Sequence, residues 1–429
     1  MRHIKDIFGG NRRQFGMLIA LVALVVFFQV ATGGAVVTSI NLMNLLNGNA
    51  YILILAIGMV LVIIAGHIDL SVGSVAAFAG IVTAIAMRDL GVPWWAGILL
   101  CLAVGALAGA WQGFWVAYVG IPAFIVTLAG MLLFRGANQF VGQSNSVPVP
   151  PQIQYLGGGY LPEVGPRTGY NNLTLLLGLL VIAGLVLGEV IQRRNRRRIQ
   201  AEVPPVWVSV VKLALLAAVI YAATYLFATG RAGTSFPVPG LILAVLVIFY
   251  WFVSSRTVTG RHVYAVGGNK QAAALSGVNT KRVNFFVMMN MSILASLAGL
   301  IFVGRSTSSG PFDGVNWELD AIAAVFIGGA AVSGGVGTVI GALIGGLVMA
   351  VLNNGLQLLG VGADWTQMIK GLVLLIAVAF DVWNKTQGKP SITGLLLGTR
   401  KPREAAPPAE PADPVDQAST ERPGVGQQS

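Results

Sequence analysis

Apolar residues in this chain come in long runs, near residues 15–32, 50–66, 71–88, 94–119, 121–140, 172–192, 206–229, 239–254, 283–304, 317–333, 338–360 and 366–384. The polar face of a soluble core helix is missing from these runs. About 20 apolar residues carry a helix across a bilayer. The pattern therefore predicts an all-α, polytopic membrane protein with ten to twelve transmembrane helices, the spread reflecting runs interrupted by Gly and Ser.

The sharpest interruption is "AGHIDLSVGS", residues 65–74, between two apolar runs. It predicts a broken helix. Gly66 and Gly73 permit the turn, and Asp69 and Ser71 can satisfy the backbone groups that it frees. Irregular backbone at membrane depth is tolerated only against protein or a wet cavity, so the break belongs to the bundle interior or a translocation path. Two readings of Asp69 stay open: a cap for the helix that follows, or direct contact with a translocated solute. Asp320, which precedes "AIAAVFIGG", poses the same choice. These two stretches open what reads as a pair of pseudo-repeated halves, a common build among transporters. Each is followed by glycines four apart, Gly105, Gly109 and Gly113 in one half and Gly337, Gly341 and Gly345 in the other. That spacing lines small residues along one helix face and lets backbones approach.

Composition agrees with the membrane reading. Hydrophobic residues make up 55% of the chain and charged residues 10%, against about 25% charged in soluble proteins. The net charge of +11 raises a nucleic-acid reading, but the basic residues cluster beside apolar segments: at the N-terminus, in "RRNRRR" at 193–198, and between Arg256 and Arg282. That is the positive-inside pattern, and no nucleic-acid partner is expected. Twelve crossings from a cytoplasmic N-terminus place both large basic loops and the C-terminus inside. The domain reading is a cytoplasmic N-terminus over 1–14, a permease domain over 15–384, and a Pro-rich, disordered cytoplasmic tail over 385–429. Loop 255–282 falls inside and the Pro/Gly-rich loop 141–170 outside. The run from Phe15 to Thr32 is longer than a signal-peptide core and reads as a retained first helix.

Enzyme signals are absent: there is no phosphate-binding G-x-x-x-x-G-K-[ST] and no metalloprotease or hydrolase motif. No cofactor is expected on this chain, and any ATP is hydrolysed on another. Cys101, the single cysteine, has no partner for an internal disulfide. Ionisable groups away from segment ends look scarce, which counts against ion coupling. In the basic loop, Gly267 and Gly268 read as a turn and Asn269 as an N-cap. A short helix follows through Gln271, Ala272, Ala273 and Leu275, ending near Gly277. Such a helix can dock into a partner's groove or serve as a solvated connector.

The motifs "IDLSVGS", "AWQGFWVAY", "PAFIVTLAGMLLFRG", "GRHVYAVGGNKQAAALSGV", "ELDAIAAVFIGGAAVSGGVGTVIGA" and "LNNG" resemble the permease subunits of bacterial ATP-binding-cassette sugar importers. The nearest group is the xylose and multiple-sugar branch of the ribose/arabinose/xylose permeases, and the likeness runs from about residue 40 to about residue 384. The resemblance implies an inner-membrane permease that works as a homodimer. An ATPase subunit would power it, a periplasmic binding protein would deliver a monosaccharide such as xylose, and "GGNKQAAALSG" would contact the ATPase. The family often has Glu where this chain has Gln271. The alternative is an ion-coupled secondary sugar transporter. Candidate sugar-path residues are Trp111, Gln112, Phe114, Trp115, Asn353 and Asn354, each equally readable as packing or capping.

The charge placement sets a labelling test. A cysteine replacing Ser144 should react with an impermeant thiol reagent added to the periplasmic face, and one replacing Ser276 should not. The reverse pattern would overturn the orientation.

Overall fold

A computed structural model describes residues 12–166, 168–200, 203, 205–229 and 235–386. The expected tail from 387 and the first eleven residues lie outside the described residues. The chain folds into helices α1 (Arg12–Ala31), α2 (Ser39–Ile64), α3 (Val72–Asp89), α4 (Trp94–Phe114, extended by a π turn over Trp115–Val119), α5 (Ala123–Val141), α6 (Pro151–Gly158), α7 (Asn172–Arg198), α8 (Val206–Ala228), α9 (Val238–Arg256), α10 (Val258–Gly268), α11 (Lys270–Leu275), α12 (Thr280–Ser306), α13 (Trp317–Ile327), α14 (Val339–Leu358) and α15 (Ala363–Thr386). Among the described residues nine helices are long and apolar enough to cross a membrane, with a shorter apolar helix over Gly16–Ala31.

Helices α2 and α12 form the centre. Every residue of α2 from Ile52 to Ile64 is buried, the mark of a helix enclosed by other helices on all sides. Around this pair lie α3, α4, α9, α13 and α14. The expected glycine face of α4 is present and meets α12. A side chain at Gly105 would collide with Ser296, and one at Gly109 would lie 2.6 Å from the Met289 Cα. At Gly113 the neighbour is Phe285, at 3.1 Å. The second glycine series differs from its expectation. Gly337 precedes its helix, while Gly341 and Gly345 press against Gly328 and Ala324 at the end of α13. The two glycine faces thus serve different contacts in the two halves. Helices α7 and α8 pack on each other and lie on the flank, largely exposed.

Three local expectations need correction. The run 317–333 does not form a spanning helix: α13 has 11 residues, about 16 Å at 1.5 Å per residue, roughly half of a bilayer core. Glycines at 328, 329, 334, 335 and 337 stop it. The basic run 193–198 is helical, since α7 continues to Arg198. Loop 141–170, expected outside, has its own structure. Its strand β1 (Val147–Pro148) pairs antiparallel with β2 (Ser308–Ser309), and Gly157 on α6 sits against the backbone of Gly304 and Arg305.

These contacts also sort the two ends of the bundle. The β1–β2 pair and the reciprocal Asn41–Asn354 amide bonds, 2.8 and 2.9 Å, mark one end. The end of α2, helices α10 and α11 and loop 328–338 share the other.

Overpacking a close helix contact costs about 1–3 kcal/mol. Gly105→Leu should lower the thermal stability of the purified protein in detergent by at least that amount. Gly184→Ala, which meets nothing within 4 Å, should change it by less than about 0.5 kcal/mol. Equal melting curves for the two would sink the packing assignment.

Candidate functional site

The break predicted at 65–74 is real. Helix α2 stops at Ile64 and α3 starts at Val72, and the seven residues between them carry a buried polar group. Asp69 is fully buried. Its Oδ1 accepts from the Ser71 backbone N–H at 2.8 Å and from the Ser71 hydroxyl at 2.6 Å. Gln112 on α4, also fully buried, donates from Nε2 to the Ser71 Oγ at 2.7 Å. Asp69 therefore closes a turn on Ser71 rather than capping the first turn of α3. Ser71 sits at the cap position but makes no side-chain capping bond.

A second non-helical segment, residues 310–316, packs against the first turn of α3, directly after the break. A side chain at Gly73 would strike the carbonyl oxygen of Gly314 and come within 2.8 Å of the Glu318 Oε2. Glu318 lies in the first turn of α13 and is 5% exposed. Helix α5 clamps both irregular segments from one face. Thr127 donates to the Ile68 carbonyl at 3.3 Å, Asn138 donates to the Gly310 and Pro311 carbonyls at 3.2 Å each, and Arg135 approaches Glu318 at 3.8 Å.

Four acceptor oxygens in this cluster have no partner among the described residues: Asp69 Oδ2, Gln112 Oε1, Asn138 Oδ1 and Glu318 Oε2. A buried acceptor without a donor costs about 1–3 kcal/mol. The chemistry matches a ligand that donates hydrogen bonds, such as a polyol.

Other sequence candidates lie elsewhere. Asp320, expected ahead of its helix, stands inside α13 and pairs with Lys370 of α15 at 2.6 Å; the cap position is Asn316. Trp111 faces outward and meets the edge of Phe134 at 6.0 Å. Trp115 packs in the core with its indole N–H unpartnered among the described residues. Asn353 belongs to α14, which packs on α1, α2 and α13, whereas the two tryptophans ride on α4 and its π turn. The structure does not gather these three.

Four contributors went unrecognised in the sequence: Thr127, Arg135, Asn138 and Glu318. The first three sit on α5 at spacings of eight and three residues, within one quadrant of a helix at about 100° per residue. That polar stripe in an apolar run was the available signal. The expected scarcity of ionisable groups within the membrane segments is also corrected, since Arg135–Glu318, Lys212–Glu189 and Lys370–Asp320 all form pairs between helices.

On the opposite end, the short helix of the basic loop is α11. Asn269 caps it by accepting from the Ala272 N–H at 2.9 Å. Gly277, at φ 84°, ends it in the left-handed region that glycine enters without steric cost. Gly267 and Gly268 are not a turn but the last residues of α10. Ala273 is buried against the bundle, while Leu275 is 91% exposed with Lys270, Gln271 and Ala272 around it.

A polytopic helical bundle with buried, non-helical polar segments defines a membrane protein whose polar site lies inside the bundle. The chain belongs to the family described as branched-chain amino acid transport system / permease component, which matches residues 41–157 and 161–378. It is 43% identical over 378 residues, 87% of this chain and 97% of the relative, to the xylose transport system permease protein XylH of Haemophilus influenzae. The Escherichia coli K12 protein of the same name is 40% identical over 374 residues, covering 86% and 92% of the two chains. The ribose import permease protein RbsC of that strain is 34% identical over 370 residues, covering 86% and 93%. No solved structure matches the chain. This membership makes the chain a permease component rather than an enzyme.

Asp69→Asn preserves the side-chain shape and a carbonyl acceptor for Ser71, so folded protein should stay near the parent level. Asp69→Leu strands the Ser71 N–H and breaks the link to Gln112, costing about 1–3 kcal/mol, and should reduce the folded yield in membranes. Equal yields for Asp and Leu would refute the structural role of this turn.

Proposed function

We propose that this chain is the membrane-spanning permease of an ATP-driven importer that carries a monosaccharide across the bacterial inner membrane. The observation that carries the reading is the 43% identity with a xylose permease over 97% of that relative's length. The buried acceptors Asp69, Gln112 and Glu318 support it, because sugar hydroxyls are the donors that such oxygens lack. A pentose such as xylose is the first candidate. Both termini and the basic loop 255–282 are cytoplasmic in this reading, as the charge placement requires. The working assembly pairs two copies of the permease with an ATPase subunit, which binds and hydrolyses ATP, and with a periplasmic sugar-binding protein.

The ATPase docks on α11. The exposed face is Lys270, Gln271, Ala272 and Leu275, because Ala273 is turned into the bundle. Leu275 is a large apolar side chain at the membrane's aqueous side, the kind of anchor that fills a partner's pocket. Gln271 offers an amide hydrogen bond where related chains often offer a carboxylate.

Uptake by vesicles bearing the full assembly, with ATP supplied and the proton gradient collapsed, tests the reading across a panel of pentoses and hexoses. Accumulation that continues without the gradient is expected, and accumulation that stops would point to ion coupling. Truncating an interface anchor costs about 2 kcal/mol or more. Leu275→Asp should therefore release the ATPase on co-purification by at least about thirty-fold while the permease stays folded. An unchanged yield of co-purified ATPase would remove α11 as the dock.

A further inference from the structure

Three pieces of backbone that are remote in sequence meet at the α11 end of the bundle. The first is the end of α2 with Gly66, which leads into the break holding Asp69. The second is Gly267 and Gly268, the last residues of α10, directly ahead of α11. The third is Gly334 and Gly335 in loop 328–338, which follows α13, the helix bearing Glu318.

The contacts are backbone to backbone. The Gly335 N–H donates to the Ile64 carbonyl at 2.8 Å. A methyl group on Gly267 would collide with that same carbonyl oxygen and lie 2.8 Å from the Gly335 nitrogen. One on Gly334 would be 3.0 Å from both the Gly267 oxygen and the Gly66 Cα. Gly335, at φ +71°, would bring a methyl within 2.8 Å of the Gly268 Cα. One side-chain bond closes the joint: the Tyr264 hydroxyl of α10 donates to the Gly337 carbonyl at 2.7 Å.

We propose that this glycine joint is the mechanical link between the ATPase dock and the buried polar site. Gly267 and Tyr264 are its positioning residues on the α10 side. The inference rests on the importer reading. Side chains in contact can absorb a displacement by changing rotamer. Backbones held against one another with no Cβ between them cannot, so a shift of α10–α11 moves Ile64 and Gly335 together. Ile64 lies five residues before Asp69, and the loop bearing Gly335 joins the helix that starts beside Glu318. Both walls of the polar site are thus attached to one point on the dock. Signals between sites require such an element with two discrete arrangements, and close packing favours discrete shifts over gradual ones.

The test uses the full assembly in proteoliposomes, with the ATPase subunit and binding protein present, and reads sugar accumulated per ATP hydrolysed across the sugar panel. Gly267→Ala should keep the ATPase on co-purification and keep ATP hydrolysis, yet lower the ratio by about ten-fold or more, within the usual range of coupling energies. Tyr264→Phe removes one hydroxyl and no packing, and should lower the ratio by about two- to five-fold, the worth of one hydrogen bond. A parent ratio for both variants overturns the proposal, and so does a Gly267→Ala protein that no longer binds the ATPase. If Gly267→Ala does not accumulate, Tyr264→Phe decides alone: a lowered ratio supports the joint and a parent ratio overturns it. A parent assembly that takes up no sugar of the panel would instead count against the importer reading.

Discussion

Backbone that leaves the helical state inside a membrane must find its hydrogen-bond partners within the protein. That constraint shapes the bundle. The irregular segment 310–316 lies against the start of α3, just past the break at 65–71, because Gly73 and Gly314 carry no side chain to separate them. Helix α5 supplies the missing donors with Thr127 and Asn138. Asp69 supplies an acceptor for the Ser71 N–H. The freed carbonyls of Ile68, Gly310 and Pro311 are answered from α5, and the Ser71 N–H from within its own segment.

The same logic explains the distribution of glycine. Lipid offers no hydrophobic drive for one helix to prefer another, and close contact becomes the source of association. The α4–α12 interface uses Gly105, Gly109 and Gly113 for this purpose, and α13–α14 uses Gly328, Gly341 and Gly345. By contrast, α7 and α8 meet the centre near one end, where Ser39 of α2 donates to the Leu226 carbonyl of α8, and they hold together through Gly178 on Thr224 and the Glu189–Lys212 pair. They flank the permease core rather than build its polar site.

Transport requires a polar site that changes its exposure without ever presenting loose backbone to lipid. The arrangement here meets that requirement by anchoring both site walls to the end of the bundle where α11 lies. Four acceptors of this cluster are left unsatisfied among the described residues, and in the importer reading a solute's hydroxyls answer them. Arg135, 3.8 Å from Glu318, sets a cation beside one of the two carboxyl groups of this site.

The sequence alone determined the membrane class, most of the spanning segments, the break at 65–74, the glycine face of α4 and the cap residues of α11. These are local properties: run length, charge placement, residue spacing and turn chemistry act over a few turns of chain and need no partner. It misread the short helix α13 and the role of Asp320. It passed over Arg135 and Glu318 as members of a site. Those depend on which elements meet. Whether an aspartate caps its own helix or pairs with Lys370, fifty residues away, is decided by packing between helices, and the sequence carries no local mark of it. The joint of Ile64, Gly267 and Gly335 is the clearest case. Each glycine alone reads as a turn or a helix stop, and only the tertiary structure brings the three backbones into contact.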